Sequence, residues 1–511
     1  MFSSYFLFFK GFYINIFLFE SQLISTADFI VKMFKTGIHI LKKGGNKNMQ
    51  KNGNQREELL ISKMKARLDT FPYPKEVLEI CKRFEEKGYS CFLVGGCVRD
   101  ILLGRNPQDF DFATDARPEE TLSLFKHTVP TGIKFGTVTV LINRKSFEVT
   151  TFRGEGAYHD GRRPEIVSFK RQIEEDLARR DFTLNAMAYH PLEKKLVDLF
   201  NGLRDLAKGV VRTVKEPEER LLEDGLRIMR AFRFMKFGRL DTELIEAIKK
   251  HRGVLQKISK ERIRAEFVKI MEYQGAVSSL RAMADLGIFE VIYKEISVIL
   301  KNRELWEYVL NTISLLSDML YTHRFAVLFS FIGFEASFIE NEVPDFTKME
   351  IEVLKRELKK SEKVTKKLLR RNTFSRKEIL AISSLISDLW LPYYHLRENG
   401  QDLSSLRLTR VFYRRNALDV FKIARAREKA AGRVEVEQSL KNIQKILEEL
   451  SMERHKKPVI DGNTIMAELG IPQSRKVGVF KERLYRFQVR NDVTEREVLL
   501  KELKRMAEEE K

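Results

Sequence analysis

Residues 91–100 read Cys91-Phe92-Leu93-Val94-Gly95-Gly96-Cys97-Val98-Arg99-Asp100, an apolar run that ends in two glycines and reopens as a helix. Strand, glycine turn and helix start together form a phosphate-accepting arrangement. The glycines let backbone N–H groups approach closely, and the helix dipole favours an anion. Arg99, in the first helical turn, adds a charge-assisted donor. Taken alone, Gly95-Gly96 also fits an ordinary turn, so the flanking sequence decides.

Downstream stands Gln108-Asp109-Phe110-Asp111-Phe112. Read as a strand over 108–113, it places Asp109 and Asp111 on one face and Phe110 and Phe112 on the other. Neighbouring carboxylates repel unless a cation lies between them, and Mg²⁺, which seeks oxygen ligands, is the natural occupant. Strands are also predicted at 136–142 and 146–152, around the turn Asn143-Arg144-Lys145, and the second carries Glu148. Glu148 completes a three-carboxylate cluster if the sheet brings these strands together. Two-metal phosphoryl transfer uses such a cluster, with ions about 3.5–4 Å apart.

Two further segments are polar where chemistry is plausible. Arg179-Arg180-Asp181-Phe182-Thr183-Leu184-Asn185-Ala186-Met187 offers candidate ribose and triphosphate contacts, although a salt-bridged helix start fits as well. In Glu223-Asp224-Gly225-Leu226-Arg227-Ile228-Met229-Arg230, a continuous helix puts Asp224, Arg227 and Arg230 on one face. Carboxylate acceptors beside guanidinium donors can read the edge of a base; an intrahelical ion pair has the same spacing.

Composition frames these motifs. The chain has 511 residues, 92 Lys and Arg against 72 Asp and Glu, and a formal charge of +20. With 43% hydrophobic residues it can bury more than one core, which excludes global disorder. Its only cysteines, Cys81, Cys91 and Cys97, exclude a disulfide scaffold; they fit a reducing cytosol, hence a cytoplasmic protein, and read as small buried hydrophobes. The positive excess calls for a polyanionic partner. Residues 1–34 are rich in Phe, Ile and Leu, but Lys10, Glu20, Asp28 and Lys32 interrupt them before the ~18–20 apolar residues of a membrane span. Lys42-Lys43-Gly44-Gly45 reads as a translated purine-rich ribosome-binding stretch, so translation is expected to start at Met49, with 1–48 a miscalled or disordered extension.

From about Phe71 to Val214 the pattern is mixed α/β; after Glu216 apolar residues recur at helical spacing. Positive charge concentrates at 351–380, with 11 Lys and Arg against 4 acids, and at 401–434, with 9 against 3. A solvated helix face explains one such run, whereas two in one helical arm suggest a track for phosphates. Lys366, Lys367, Arg370, Arg371, Arg414 and Arg415 are the candidate RNA contacts.

In this order the segments closely resemble the class II tRNA nucleotidyltransferase and bacterial poly(A) polymerase family. The likeness continues in Ile258-Ser259-Lys260-Glu261-Arg262-Ile263-Arg264-Ala265-Glu266-Phe267, and in Val459-Ile460-Asp461-Gly462 with Leu469-Gly470-Ile471-Pro472. It implies an α+β fold: a polymerase-β-type nucleotidyltransferase head with a small mixed sheet at 70–214, then an all-α neck (215–275), body (276–434) and tail (435–511). It implies Asp109 and Asp111 as Mg²⁺ ligands with Glu148 in support, and Gly95, Gly96 and Arg99 on the triphosphate. Arg180, Asp181 and Asn185 would contact sugar and phosphates, and Asp224 and Arg227 the incoming base, with Arg230 beside them. Gly225 departs from the proline the family often has there.

The implied activity is addition of CCA to the 3′ end of tRNA from CTP and ATP, without a membrane partner. The full segment 153–164, where CC-adding members tend to be shortened, argues against a CC-only enzyme. An A-adding partner of a split system is the second reading, a poly(A) polymerase the third, and a non-catalytic tRNA-binding protein the alternative of another class. A metal-dependent phosphohydrolase is disfavoured because the eight histidines are scattered.

Overall fold

The computed structural model describes residues 46–154, 171–398, 402–413, 416–450 and 457–509, together with strands β1 (Phe2–Phe9) and β2 (Phe12–Phe19). The chain divides into Met1–Arg67 and Leu68–Lys511. In the first unit β1 and β2 pair antiparallel, Phe9 opposite Phe12.

The second unit begins with a seven-stranded mixed sheet in the order β5-β6-β7-β4-β3-β8-β9. Its strands are β3 (Cys91–Val94), β4 (Asp111–Thr114), β5 (Thr128–Gly132), β6 (Thr137–Ile142), β7 (Lys145–Thr151), β8 (Ala188–His190) and β9 (Lys195–Val197). Every residue of β3 is buried, as a continuous apolar run in a strand covered on both faces must be. In β7, Phe147, Val149 and Thr151 are buried while Ser146 and Glu148 are exposed, the alternation of a half-covered strand. Phe92, Val94, Ala113, Phe152, Leu177 and Ala188 form a core on one side of the sheet. Cys81, Cys91 and Cys97 are free and buried, as the sequence suggests.

Three local expectations change. The strand expected from 108 starts only at Asp111, where Val94 is its partner. Beyond Val94 the partner strand turns away through Gly95 at φ 71°, so Asp109 and Phe110 have no ladder to join on that side. The β6–β7 turn contains two residues, Asn143 and Arg144, both at positive φ, and Lys145 belongs to β7. Finally, the helix expected through 223–230 is two helices, Pro217–Glu223 and Leu226–Phe234. Asp224 between them is extended, and its Oδ1 accepts the Leu226 N–H, a local bond that competes with helix continuation.

From Pro217 onward helices joined by turns carry the fold, and the only strand among the described residues there is Arg239–Leu240, which pairs in parallel with Val210–Val211. This pairing brings Gly238 against Gly209, so close that a Cβ on Gly238 would overlap the Gly209 backbone. Farther along, the Phe267 ring packs on Phe289, Tyr293 and Phe325 at 5.1–6.2 Å. Buried Arg324 donates to the Met271 and Tyr273 carbonyls at 2.6 and 2.8 Å, closing the C-terminal end of the helix Lys260–Glu272. Ile465, Phe480, Leu484, Leu499 and Leu503 make a separate core at the end of the chain. Among the described residues no helix is long and apolar enough to cross a membrane.

Candidate active site

The sheet register joins what the sequence keeps apart. β4 runs parallel to β7, and Asp111 is paired with Glu148. Asp109, just before the strand, faces the same open cleft of about 1090 Å³. Desolvation raises the Asp111 pKa, Glu148 and Asp109 add repulsion, and Arg180 partly offsets them. A cation among these carboxylates would relieve that repulsion. Their all-oxygen donor set fits a hard divalent metal.

All twelve head and neck residues singled out from the sequence line this cleft: Gly95, Gly96, Arg99, Asp109, Asp111, Glu148, Arg180, Asp181, Asn185, Asp224, Arg227 and Arg230. At the glycine turn, Gly95 is left-handed, and a Cβ there would come within 3.0 Å of Arg180 Nη1. A side chain would thus be both strained and crowded. Arg99 Nη1 donates to Asn185 Oδ1 at 2.6 Å, tying the first helical turn to the 179–187 segment. Buried Asp181 accepts Arg230 Nε at 2.6 Å and the Phe182 N–H at 2.9 Å. Burial alone would raise its pKa, but the Arg230 guanidinium outweighs burial and holds the carboxyl below the usual aspartate range.

Asp224 and Arg227 line the cleft together; the Arg227 N–H donates to the Asp224 carbonyl at 2.9 Å, but their side chains bond elsewhere. Arg227 Nη1 donates to the Arg220 carbonyl and to Glu223 Oε2, at 2.8 and 2.5 Å. Asp224 Oδ2 accepts Arg262 Nη2 at 2.8 Å. The intrahelical pair that sequence spacing allows is therefore replaced by a bond to a distant helix. Gly225 permits this packing: a Cβ there would lie 2.8 Å from Val254 Cγ2 and 3.4 Å from Ile258 Cδ1.

Several site residues escape a sequence reading. Arg233, Lys236, Arg262 and Lys269 add positive charge to the cleft from neck helices; Arg262 lies in the quoted 258–267 segment without having been singled out, and no local motif marks the other three. Asp176, fully buried, grips Arg179 and Arg180; its i, i+3, i+4 spacing from them was the available signal.

The RNA-contact candidates separate. On the helix Ile351–Arg371, Lys367 and Arg370 are exposed, whereas Lys366 pairs with Glu362 at 2.5 Å and Arg371 with Glu295 at 2.9 Å. Arg414, Arg415 and most of the 153–164 segment lie outside the described residues. A second group of metal-type ligands, Glu85, His190 and Glu193, is already internally bonded. His190 Nε2 is 3.2 Å from Glu85, and Nδ1 accepts the Glu193 N–H.

Residues 91–212 match the family model described as the poly A polymerase head domain, and residues 239–300 match the probable RNA and SrmB-binding site of polymerase A. The CCA-adding enzyme of Lactobacillus gasseri is 46% identical over 217 residues, 42% of this chain and 54% of the relative. That of Ligilactobacillus salivarius is 42% identical over 247 residues, 47% of this chain and 60% of the relative. The chain thus spans about half the length of the curated relatives it matches. A Bacillus stearothermophilus CCA-adding enzyme solved in complex with CTP superposes with a TM-score of 0.62 at 25% identity, covering 86% of this chain and 99% of that one. The Thermotoga maritima CCA-adding enzyme complexed with tRNA shares the fold, with a TM-score of 0.54 at 20% identity over 86% of this chain and 98% of that one. A polymerase-β-type head on a small mixed sheet, followed by an all-helical body, is thus the architecture here as well. Both domain models are matched in order, and the matched head carries the carboxylate cluster in register, so the chain is similar over these regions to the poly A polymerase head and RNA-binding families and to CCA-adding enzymes.

Proposed function

We propose that the protein adds CCA to the 3′ end of tRNA, using CTP and ATP and releasing pyrophosphate. The observation that carries this reading is the single cleft in which the Asp111–Glu148 pair, the glycine turn and the Asp224–Arg227 pair meet. Likeness to CCA-adding enzymes, one solved with CTP, supports the substrate choice.

Asp109 and Asp111 would hold Mg²⁺, with Glu148 as the supporting carboxylate. When bound, the ion supplies activation of the RNA 3′-hydroxyl and charge stabilisation for the departing pyrophosphate. Gly95 and Gly96 leave the backbone open to the triphosphate, and Arg99 and Arg180 add guanidinium donors beside it. Asp181 and Asn185 orient the sugar, held in place by Arg230 and Arg99 respectively. Asp224 and Arg227 present an acceptor and a donor fork to the base, so the protein itself replaces a template. Arg230 acts through Asp181.

In this reading 70–214 is the head, 215–275 the neck, 276–434 the body and 435–511 the tail. The body's exposed Lys367 and Arg370 meet RNA phosphates, and the protein works in the cytoplasm. Poly(A) synthesis, the third reading of the sequence, is the alternative that the description of the matching head model favours. Purified protein with Mg²⁺ is offered tRNA ending before CC, after CC and with CCA, with CTP, ATP or both. Growth by C, C and A that then stops supports CCA addition. Growth of only the CC-ended tRNA, by one A, marks a split-system enzyme, and long A tails mark a poly(A) polymerase.

A further inference from the structure

Asp176 has no exposed surface, yet it is a carboxylate gripped by two cleft arginines. Its Oδ1 accepts Arg179 Nε and Nη2 at 2.9 and 2.5 Å, and the Arg153 N–H at 3.2 Å. Its Oδ2 accepts Arg180 Nε and Nη2 at 3.3 and 2.9 Å. Two of the three nitrogens of the Arg180 guanidinium are therefore committed to a buried anion. The third, Nη1, faces the glycine turn, 3.0 Å from where a Gly95 Cβ would stand.

That placement puts Arg180 beside the carboxylate cluster. Gly95 follows Val94, the register partner of Asp111, so the Nη1 that faces Gly95 stands next to the strand pair that carries Asp111. A guanidinium prefers a bidentate carboxylate, and the cleft offers Asp109, Asp111 and Glu148 as alternatives to Asp176. An arginine settled on those groups would occupy the position where a divalent cation must sit.

We infer that Asp176 is a positioning residue that anchors Arg180 by its Nε–Nη2 edge, aims Nη1 at the phosphate turn, and keeps the guanidinium off the metal-binding carboxylates. The inference rests on Asp109, Asp111 and Glu148 holding the cation in the proposed function. Burial pushes the Asp176 pKa up, but Arg180 and Arg179 outweigh it and hold the carboxyl below the usual range, so the anchor stays charged at neutral pH.

The test is Mn²⁺ binding to the full chain, followed by electron paramagnetic resonance without nucleotide or RNA. Asp176→Asn frees Arg180 and is expected to weaken Mn²⁺ binding about tenfold. Adding Arg180→Gln removes the intruding charge and restores affinity, so the double variant binds better than Asp176→Asn alone. A merely structural role gives additive losses instead. Unchanged affinity in Asp176→Asn, or a double variant no better than it, overturns the inference.

Arg180→Lys serves where Asp176→Asn does not melt cooperatively. It keeps the charge but lacks the planar fork, so it should bind Mn²⁺ less tightly than Arg180→Gln. The reverse order overturns the inference. Wild-type protein that extends tRNA while the variants keep wild-type Mn²⁺ affinity refutes the anchor and leaves the function standing. The expected ranking in a protein that extends no RNA upholds the anchor and refutes the function. A wild-type chain that binds no Mn²⁺ overturns both.

Discussion

Asp111 and Glu148, 37 positions apart in the chain, are register partners on two adjacent parallel strands. This pairing turns two acidic motifs into one cluster beneath the cleft. Asp111→Ala should cut nucleotide addition at least about a thousandfold, the worth of several kcal/mol of charge stabilisation, while tRNA binding stays near wild type. Single-turnover extension beside a filter-binding titration reads both, and retained extension would remove Asp111 from the metal site.

Arg262 reaches Asp224 from the helix Lys260–Glu272. Arg262→Met leaves Asp224 Oδ2 without this partner, so the carboxylate is held only through the Leu226 N–H on Oδ1. Preference for CTP and ATP over UTP and GTP, measured as kcat/KM ratios, should fall about tenfold. Unaltered ratios would mean that Asp224 is held by its backbone contact alone.

A methyl group at position 225 would stand 2.8 Å from Val254 Cγ2. Gly225→Ala should therefore destabilise the protein by about 1–3 kcal/mol in urea unfolding, and by less on a Val254→Ala background. Equal costs on both backgrounds would place the strain elsewhere.

Salt dependence separates the arginines and lysines of the basic arm. Replacing Lys367 and Arg370 with Ala should lower the slope of log tRNA affinity against log salt by about one per phosphate contact. Replacing Lys366 and Arg371 should lower it less, because Glu362 and Glu295 already engage them. If the two pairs behave alike, those carboxylates do not compete with RNA.

His395 is buried, and its Nε2 stands 2.8 Å from Thr409 Oγ1. Burial lowers its pKa from 6.5 to about 4. The unfolded chain therefore takes up a proton at a pH where the folded chain does not. Stability should fall as pH drops from 6.5 toward 4, by at most about 3 kcal/mol from this residue, and then level off. His395→Gln should flatten that part of the stability curve, and an unchanged slope would assign it to other groups.

The sequence alone determined the order of the motifs, the change from mixed α/β to helices near 215, and a set of residues that share the cleft. These are legible locally because a strand, a glycine turn and a helix start each leave their periodicity and turn residues in a few consecutive positions. All twelve head and neck residues named from that pattern line one cleft. What each touches was not legible. Spacing allowed Asp224 to pair with Arg227, but the break at Asp224 and the approach of Val254 to Gly225 gave its oxygen to Arg262, 38 residues away. Likewise Asp109 falls short of β4, because a strand residue needs a partner and β3 ends at Val94, before the turn at Gly95. Asp111 meets Glu148 only after packing brings β4 and β7 together. Hydrogen-bond partners are chosen by distance in the folded chain, and tertiary structure alone sets those distances.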